Sequence, residues 1–436
     1  MLPSDAIANA SNTRLLIALN LSDTSRFVND VFINPANRYL GFNTNLADIE
    51  VQPNNIRHPD MSEYIGLSAI SHSFDGWNFF SRSIEALLNG DISSCIHFAY
   101  YAELRSVMGI MASEGIGIFN QKHMYYDRNQ NPQLFHGPTH KIADDLINDW
   151  ANSRLRKENI FRTIQLNSYN LKDWIIATGR SATGAYAGSL IKDWFSNWSI
   201  DLRLKADQGL RNENSYNPHF TLNPVDLSSA IDKLLKIWKG LEPQTANRFP
   251  DLDMHLSRLA FEGLFTKATG KAPSEPEYKV WLTDVFNQIG EPIKQQLFEF
   301  LLREVAPDDH IIIIEASRDL HNHRLNMTDP LPMICRAFLL LRFSTGAANL
   351  LMEDSGVKME NLKFWWEDIA TKIGILGSKP SGIDTTDLYV DVQESVNSIE
   401  ADKASITSVY EANILSYPDL HNLKQFQRVC FWGLGL

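Results

Sequence analysis

A chain of 436 residues is longer than one ordinary hydrophobic core serves, and with 44% hydrophobic and 21% charged residues it has a globular composition that excludes the disordered classes. The formal net charge of -12 at pH 7 excludes an extended DNA-binding face, leaving at most a local basic site. Three cysteines without C-x-x-C pairing, Cys95, Cys335 and Cys430, are expected as buried free thiols. With no signal-peptide pattern and no uninterrupted apolar run of about 18 residues, the expectation is a cytoplasmic protein without membrane contact.

Residues 1–65 mix a short apolar run, Leu15 to Leu21, with Asn- and Pro-rich connections, and predict an irregular N-terminal arm with one or two short strands. From Phe74 the pattern changes. Phe74, Trp77, Phe80, Ser81, Ile84, Leu87 and Leu88 mark an amphipathic helix over 74–89, which Asn89-Gly90-Asp91 ends. A second helix follows over 95–113. It carries a stripe of large residues (Ile96, Tyr100, Leu104, Val107, Met111) beside a stripe of small ones (Ala99, Ala102, Ser106, Gly109, Ala112), the pattern of a central helix that others approach closely. The two form an αα-hairpin.

A polar connection spans 120–141, and helical patterns then fit 141–152, 155–165, 185–210, 225–240, 253–268, 276–303 and 361–374. Ile311 to Ile314 is β-branched throughout and could form a strand, but one such run does not make a sheet. The most apolar helix-length segment is 333–352, preceded by the polar cluster Arg318, Asp319, His321, Asn322, His323 and Arg324. The fold expected is mainly α, two helical bundles with the irregular arm. The expected domains are the arm at 1–65, a helical bundle at 66–225, and a second helical domain with the Arg/His cluster at 226–436.

The hairpin FDGWNFFSRSIEALLNGDISSCIHFAYYAELRS resembles the opening of HEPN-type helical domains, in which a helix, a short Asn/Gly/Asp turn and an Ala/Tyr-rich helix begin a small bundle. Active members of that family carry an Arg, a polar residue and a His in the pattern R-(N/D/H)-x3–5-H. Arg318-Asp319 followed by His323 satisfies it, and Arg211-Asn212 followed by His219 has the correct start with a spacing one residue too long. The resemblance implies a metal-independent endoribonuclease that uses no cofactor, has RNA as substrate, works as a homodimer or with a protein partner, and serves as a toxin or phage-defence effector. In such a site the guanidinium holds the scissile phosphate and the imidazole moves a proton. Residues five apart on a regular helix diverge by about 140°, so Arg318 and His323 converge only if the helix ends between them or a second protomer supplies the partner.

Other motifs point to less. His136 and His140 flank a Gly-Pro that forbids a helical pair of metal ligands, and no Cys or carboxylate joins them at ligand spacing, so no metal is expected. Gly179 to Gly184 lacks the Lys of a phosphate loop. The alternative function is a catalytically inert helical scaffold that binds a protein partner through aromatics such as Trp194, Trp198, Trp365, Trp366, Phe431 and Trp432. Arg318 paired to Glu315 or Asp319 in a solvated turn is the corresponding bland reading of the Arg/His cluster.

Overall fold

The apolar periodicity is realised almost wholly as helix. The computed structural model describes residues 3–22, 33–39, 58–153, 158–197, 204–216, 226–244, 247–318, 329–378, 386–406, 408–411 and 417–435. In chain order come α1 (Pro3–Asn9), α2 (Thr13–Asn20), α3 (His58–Leu88), α4 (Ile92–Ser113), β1 (Ile116–Ile118), β2 (Lys122–Tyr126), β3 (Pro132–His136), α5 (Thr139–Asn152), α6 (Glu158–Thr163), β4 (Gln165–Leu166), β5 (Tyr169–Asn170), α7 (Leu171–Ala177), α8 (Ala185–Asn197) and α9 (Leu204–Tyr216). The second half adds α10 (Leu227–Lys239), α11 (Pro250–Thr269), α12 (Pro276–Ile289), α13 (Gln295–Leu301), α14 (Ile311–Ser317), α15 (Leu331–Ser355), α16 (Lys363–Lys372), α17 (Asp387–Asp402), α18 (Tyr417–Leu423) and α19 (Gln427–Leu434). The fold is mainly α, as the periodicity predicts.

Three helices make the centre. The hairpin of α3 and α4 forms as expected, with the Asp91 side chain accepting from Ser94 N at 3.0 Å to cap α4, and α15 packs against both. Small residues set the approach: a Cβ on Gly109 would lie 2.3 Å from Ser344 Oγ, and one on Gly76 would lie 2.7 Å from Leu341 Cδ2. Ser73 and Ser344 hydroxyls meet at 2.8 Å, and Trp77 Nε1 donates to Thr345 Oγ1 at 2.9 Å. Polar side chains in this core therefore partner one another across the helix interfaces instead of facing solvent. By length and hydropathy α15 is apolar enough to span a membrane, but here Leu331 to Met352 are all buried, and its C-terminus closes on Gly356 in the left-handed conformation, φ 77°.

Several expectations are corrected. The described part of the arm is helical at α1 and α2, not irregular, because Ala6, Ile7, Leu15 and Leu19 bury against the core and Asn20 Nδ2 ties the end of α2 to Ser355 O at 2.9 Å. Helix α3 begins at His58, well before Phe74, since Met61, Ile65 and Ile70 extend its buried face. Within the polar connection read over 120–141, β2 and β3 pair with the preceding β1 in a three-stranded antiparallel sheet in the order β1-β2-β3, with Ile116 opposite Tyr125 and Met124 opposite Leu134. Tyr125, Tyr126 and Phe135 supply the burial that its polar residues mask in the sequence. The pattern over 185–210 is two helices, α8 and α9, and that over 276–303 is α12 and α13, divided at Gly290. Ile311 to Ile314 is helical: His310 caps α14, and burial of Ile312 and Ile313 overrides their β-branching.

The three cysteines are buried and unpaired. One continuous cluster of buried apolar side chains runs from Ala6 to Leu434. Two arginines of α15 enter it. Arg342, 2% exposed, donates from Nε and Nη2 to Asp253 of α11 at 2.8–3.1 Å and from Nη2 to Thr163 O at 2.6 Å. Burial pushes the Asp253 carboxyl up to about 6, against the opposing pull of Arg342, so it is ionised at neutral pH. Removing one partner of such a pair strands a buried charge. Asp253→Ala is expected to cost about 3–5 kcal/mol in a urea denaturation, whereas replacing both Asp253 and Arg342 by apolar residues of similar size costs much less; a single variant as stable as the wild type would contradict the pairing.

Candidate functional site

Of the two arginines singled out from the sequence, the structure leaves one chemically uncommitted. Arg318 ends α14 and lies between two carboxylates, with Nη1 3.0 Å from Glu315 Oε2 and Nη2 in contact with Asp329. Those carboxylates outweigh partial burial and raise its pKa, while Lys233 Nζ approaches the other oxygen of Glu315 at 2.8 Å. An arginine so compensated has little charge left for a phosphate. Its proposed companions Asp319 and His323 lie outside the described residues, as does His219.

Arg211 sits differently. It lies on α9, which packs against α4 and α5, and is 8% exposed. Its guanidinium carbon stands 5.4 Å from the ring centroid of Tyr100 and 5.9 Å from that of Tyr101, with no hydrogen-bond partner at Nε among the described residues. Asn212 follows it, half-buried on the same helix.

Two histidines converge on the same tyrosine pair. His97 lies one turn before Tyr100 and Tyr101 on α4, the spacing that places all three on one face. Its Nδ1 is 3.2 Å from Ser215 Oγ of α9, and its ring centroid is 5.0 Å from that of Tyr101. His140, in the first turn of α5, stacks on Tyr100 at 5.6 Å with its Nδ1 2.7 Å from the Tyr100 hydroxyl, and meets Tyr101 edge-on at 6.3 Å. Partial burial, then the Arg211 charge, lowers the pKa of both rings. Each is thereby held neutral at pH 7, the form that accepts a proton. Phe79 and Phe98, also half-buried, stack beside Tyr101 and extend the aromatic surface.

Beneath this cluster is a buried ionic layer. Arg336 of α15 donates from Nη2 to both oxygens of Asp207 at 2.9 and 3.0 Å, and its Nε lies 3.8 Å from Glu103 Oε1. Burial, then the adjoining Asp207, pushes Glu103 well above the ordinary carboxylate range, favouring its neutral form. Arg336 is thus balanced by Asp207 and fixes the turn of α9 that precedes Arg211.

The sequence reading found Arg211 but missed His97, Tyr100 and Tyr101 as a functional set, and placed His140 only in a metal context. The available signal was a His and two tyrosines at i, i+3 and i+4 in CIHFAYY, polar atoms on an otherwise apolar helix. No group of three or more His, Cys, Asp or Glu is arranged to hold a metal ion among the described residues. His136 is exposed at the end of β3, while His140 points to Tyr100. Of the scaffold reading's aromatics, Trp194, Trp366, Phe431 and Trp432 are buried core and Trp198 lies outside the described residues.

An NMR titration of the ring protons is expected to give His97 and His140 midpoints below the ordinary 6.5. In Arg211→Met both midpoints should rise, because an imidazolium there no longer faces a cation. Unchanged midpoints would separate Arg211 from the histidines. Compared with protein-family models, curated proteins and solved structures, the chain matches none.

Proposed function

We propose that the chain is a metal-independent endoribonuclease whose active site is the Arg211 cluster, with Arg211, His97 and the Tyr100–Tyr101 pair as its working parts. The observation that carries the reading is an arginine that makes no hydrogen bond to a carboxylate among the described residues and stands over the rings of two tyrosines, beside two histidines whose neutral form burial favours. RNA cleavage without a metal needs a base for the 2′-hydroxyl, a cation for the phosphate and a surface that splays and stacks the bases. His97 takes the 2′-hydroxyl proton, the freed 2′-oxygen bonds to phosphorus, and the bond from phosphorus to the 5′-oxygen breaks. A 2′,3′-cyclic phosphate remains, and the departing 5′-oxygen takes its proton from water. Arg211 stabilises the charge that grows on the non-bridging oxygens. Tyr101, Phe79 and Phe98 offer rings on which flanking bases stack. His140 positions Tyr100 through their hydrogen bond.

The HEPN resemblance of the α3–α4 hairpin supports the same reading, since the cluster is built on α4. It also supplies the biological setting proposed here, a cytoplasmic toxin or phage-defence effector acting as a homodimer or under a protein partner. The inert scaffold reading is weaker, because four of the aromatics it relies on are core and deleting residues 430–436 would remove buried Cys430, Phe431 and Trp432.

Arg211→Ala is expected to lower cleavage of single-stranded RNA by about 10²–10⁴-fold, and His97→Ala by a similar order, with wild-type cleavage persisting in EDTA. Arg318→Ala should leave cleavage within a few-fold of wild type. Circular dichroism and melting temperature establish that each variant is folded, and Arg211→Lys, which keeps the charge without the planar fork, should recover only part of the loss. A folded Arg211→Ala enzyme with full activity, or a wild type that cleaves no RNA, overturns the assignment.

A further inference from the structure

At the far end of α15 from Arg336, a cavity of about 170 Å³ opens between α6, α11, α15 and α19. One water takes roughly 10–15 Å³ in the same measure, so it has room for a small molecule. Three arginines line it, Arg162, Arg248 and Arg342. Arg162 is closed off by a bidentate pair with Asp354 at 2.7 and 2.8 Å. Arg342 spends Nε and Nη2 on Asp253 and Thr163 O, while its Nη1, in the space that a Cβ on Gly346 would enter at 2.8 Å, donates to nothing among the described residues. Arg248 is the least committed, 3.5 Å from Gly433 O and 3.8 Å from Glu353 Oε1, beyond hydrogen-bond range of that carboxylate.

Acceptors are left over as well. Asn349, 8% exposed, donates to Glu353 Oε1 at 2.6 Å, but its own Oδ1 is buried with no donor to it among the described residues. Such an atom costs about 1–3 kcal/mol unless something donates to it. Asp253 and Glu353 line the cavity with the three arginines, and Asp354 outside it neutralises Arg162, so a dianion gains little there. A molecule with both charges fits better: a carboxylate for Arg248 and Arg342 Nη1, an ammonium for Glu353 and Asn349 Oδ1. Phe249 and Leu350 give a carbon side chain an apolar wall.

We propose that this cavity binds a free α-amino acid as a zwitterion, with Arg248 and Arg342 holding the carboxylate and Glu353 and Asn349 the ammonium. The site is independent of the nuclease reading and stands or falls alone. Thermal-shift and calorimetric titration of the full chain with each of the twenty amino acids tests it. At least one is expected to raise the melting temperature saturably, its N-acetyl and carboxamide derivatives to bind at least tenfold more weakly, and Arg248→Gln to weaken it similarly without unfolding the protein. Absence of binding by every amino acid overturns the proposal. So does inorganic phosphate matching the best amino acid, which would make this a simple anion site, and so does undiminished binding by folded Arg248→Gln.

Discussion

Burying α15 on all sides from Leu331 to Met352 leaves the two arginines within that stretch no route to water, and this constraint governs the molecule around it. Arg336 and Arg342 lie six residues apart, and neither can remain in the core without a carboxylate of its own. Asp207 and Asp253 answer them from α9 and α11. Each pairing fixes one surrounding helix in register with α15 more narrowly than apolar contact does, because a two-point hydrogen bond tolerates less sliding than a methyl in a groove. The small residues of α3, α4 and α15 set how close the central helices come. The ionic pairs set which turn of the outer helices faces inward.

Much of this was legible in the sequence, where burial and helical period speak together. The hairpin of α3 and α4, the small stripe through Gly109 and the buried run of α15 all follow from 3.6-residue spacing. What was illegible depends on partners distant in the chain. Strand β2 reads as a polar loop because Lys122 and His123 interrupt it, yet the buried His123 is satisfied, with Nδ1 accepting from Phe119 N at 3.1 Å and Nε2 2.9 Å from Gly137 O. Short helices such as α1, α2 and α14 have too few residues to announce themselves, and tertiary burial creates them.

The site shows the same division. Motif spacing finds arginines with a nearby histidine but is blind to compensation, which is a property of neighbours in space. Arg318 has the better motif, yet Glu315 one turn back and Asp329 eleven residues on neutralise it. Arg211 has the poorer motif, and its histidines arrive from α4 and α5, more than 70 positions earlier in the sequence. Charge left over after local pairing is a better guide to a phosphate-binding arginine than any short pattern.

Why Arg211 is left over follows from the core. Asp207 stands four residues before it on α9, the spacing at which an Asp and an Arg on an isolated helix pair with each other. In the fold, both oxygens of Asp207 accept from Nη2 of Arg336. Glu103, the carboxyl beside Asp207, is pushed toward its neutral form by burial and by Asp207 itself. Arg211 therefore loses the partner its own helix provides and turns to the faces of Tyr100 and Tyr101, where a cation is attracted without being neutralised. The demand of one buried arginine on α15 thus leaves another without the carboxylate of its own helix, and satisfying the core and leaving a cation against the tyrosine rings are one electrostatic arrangement.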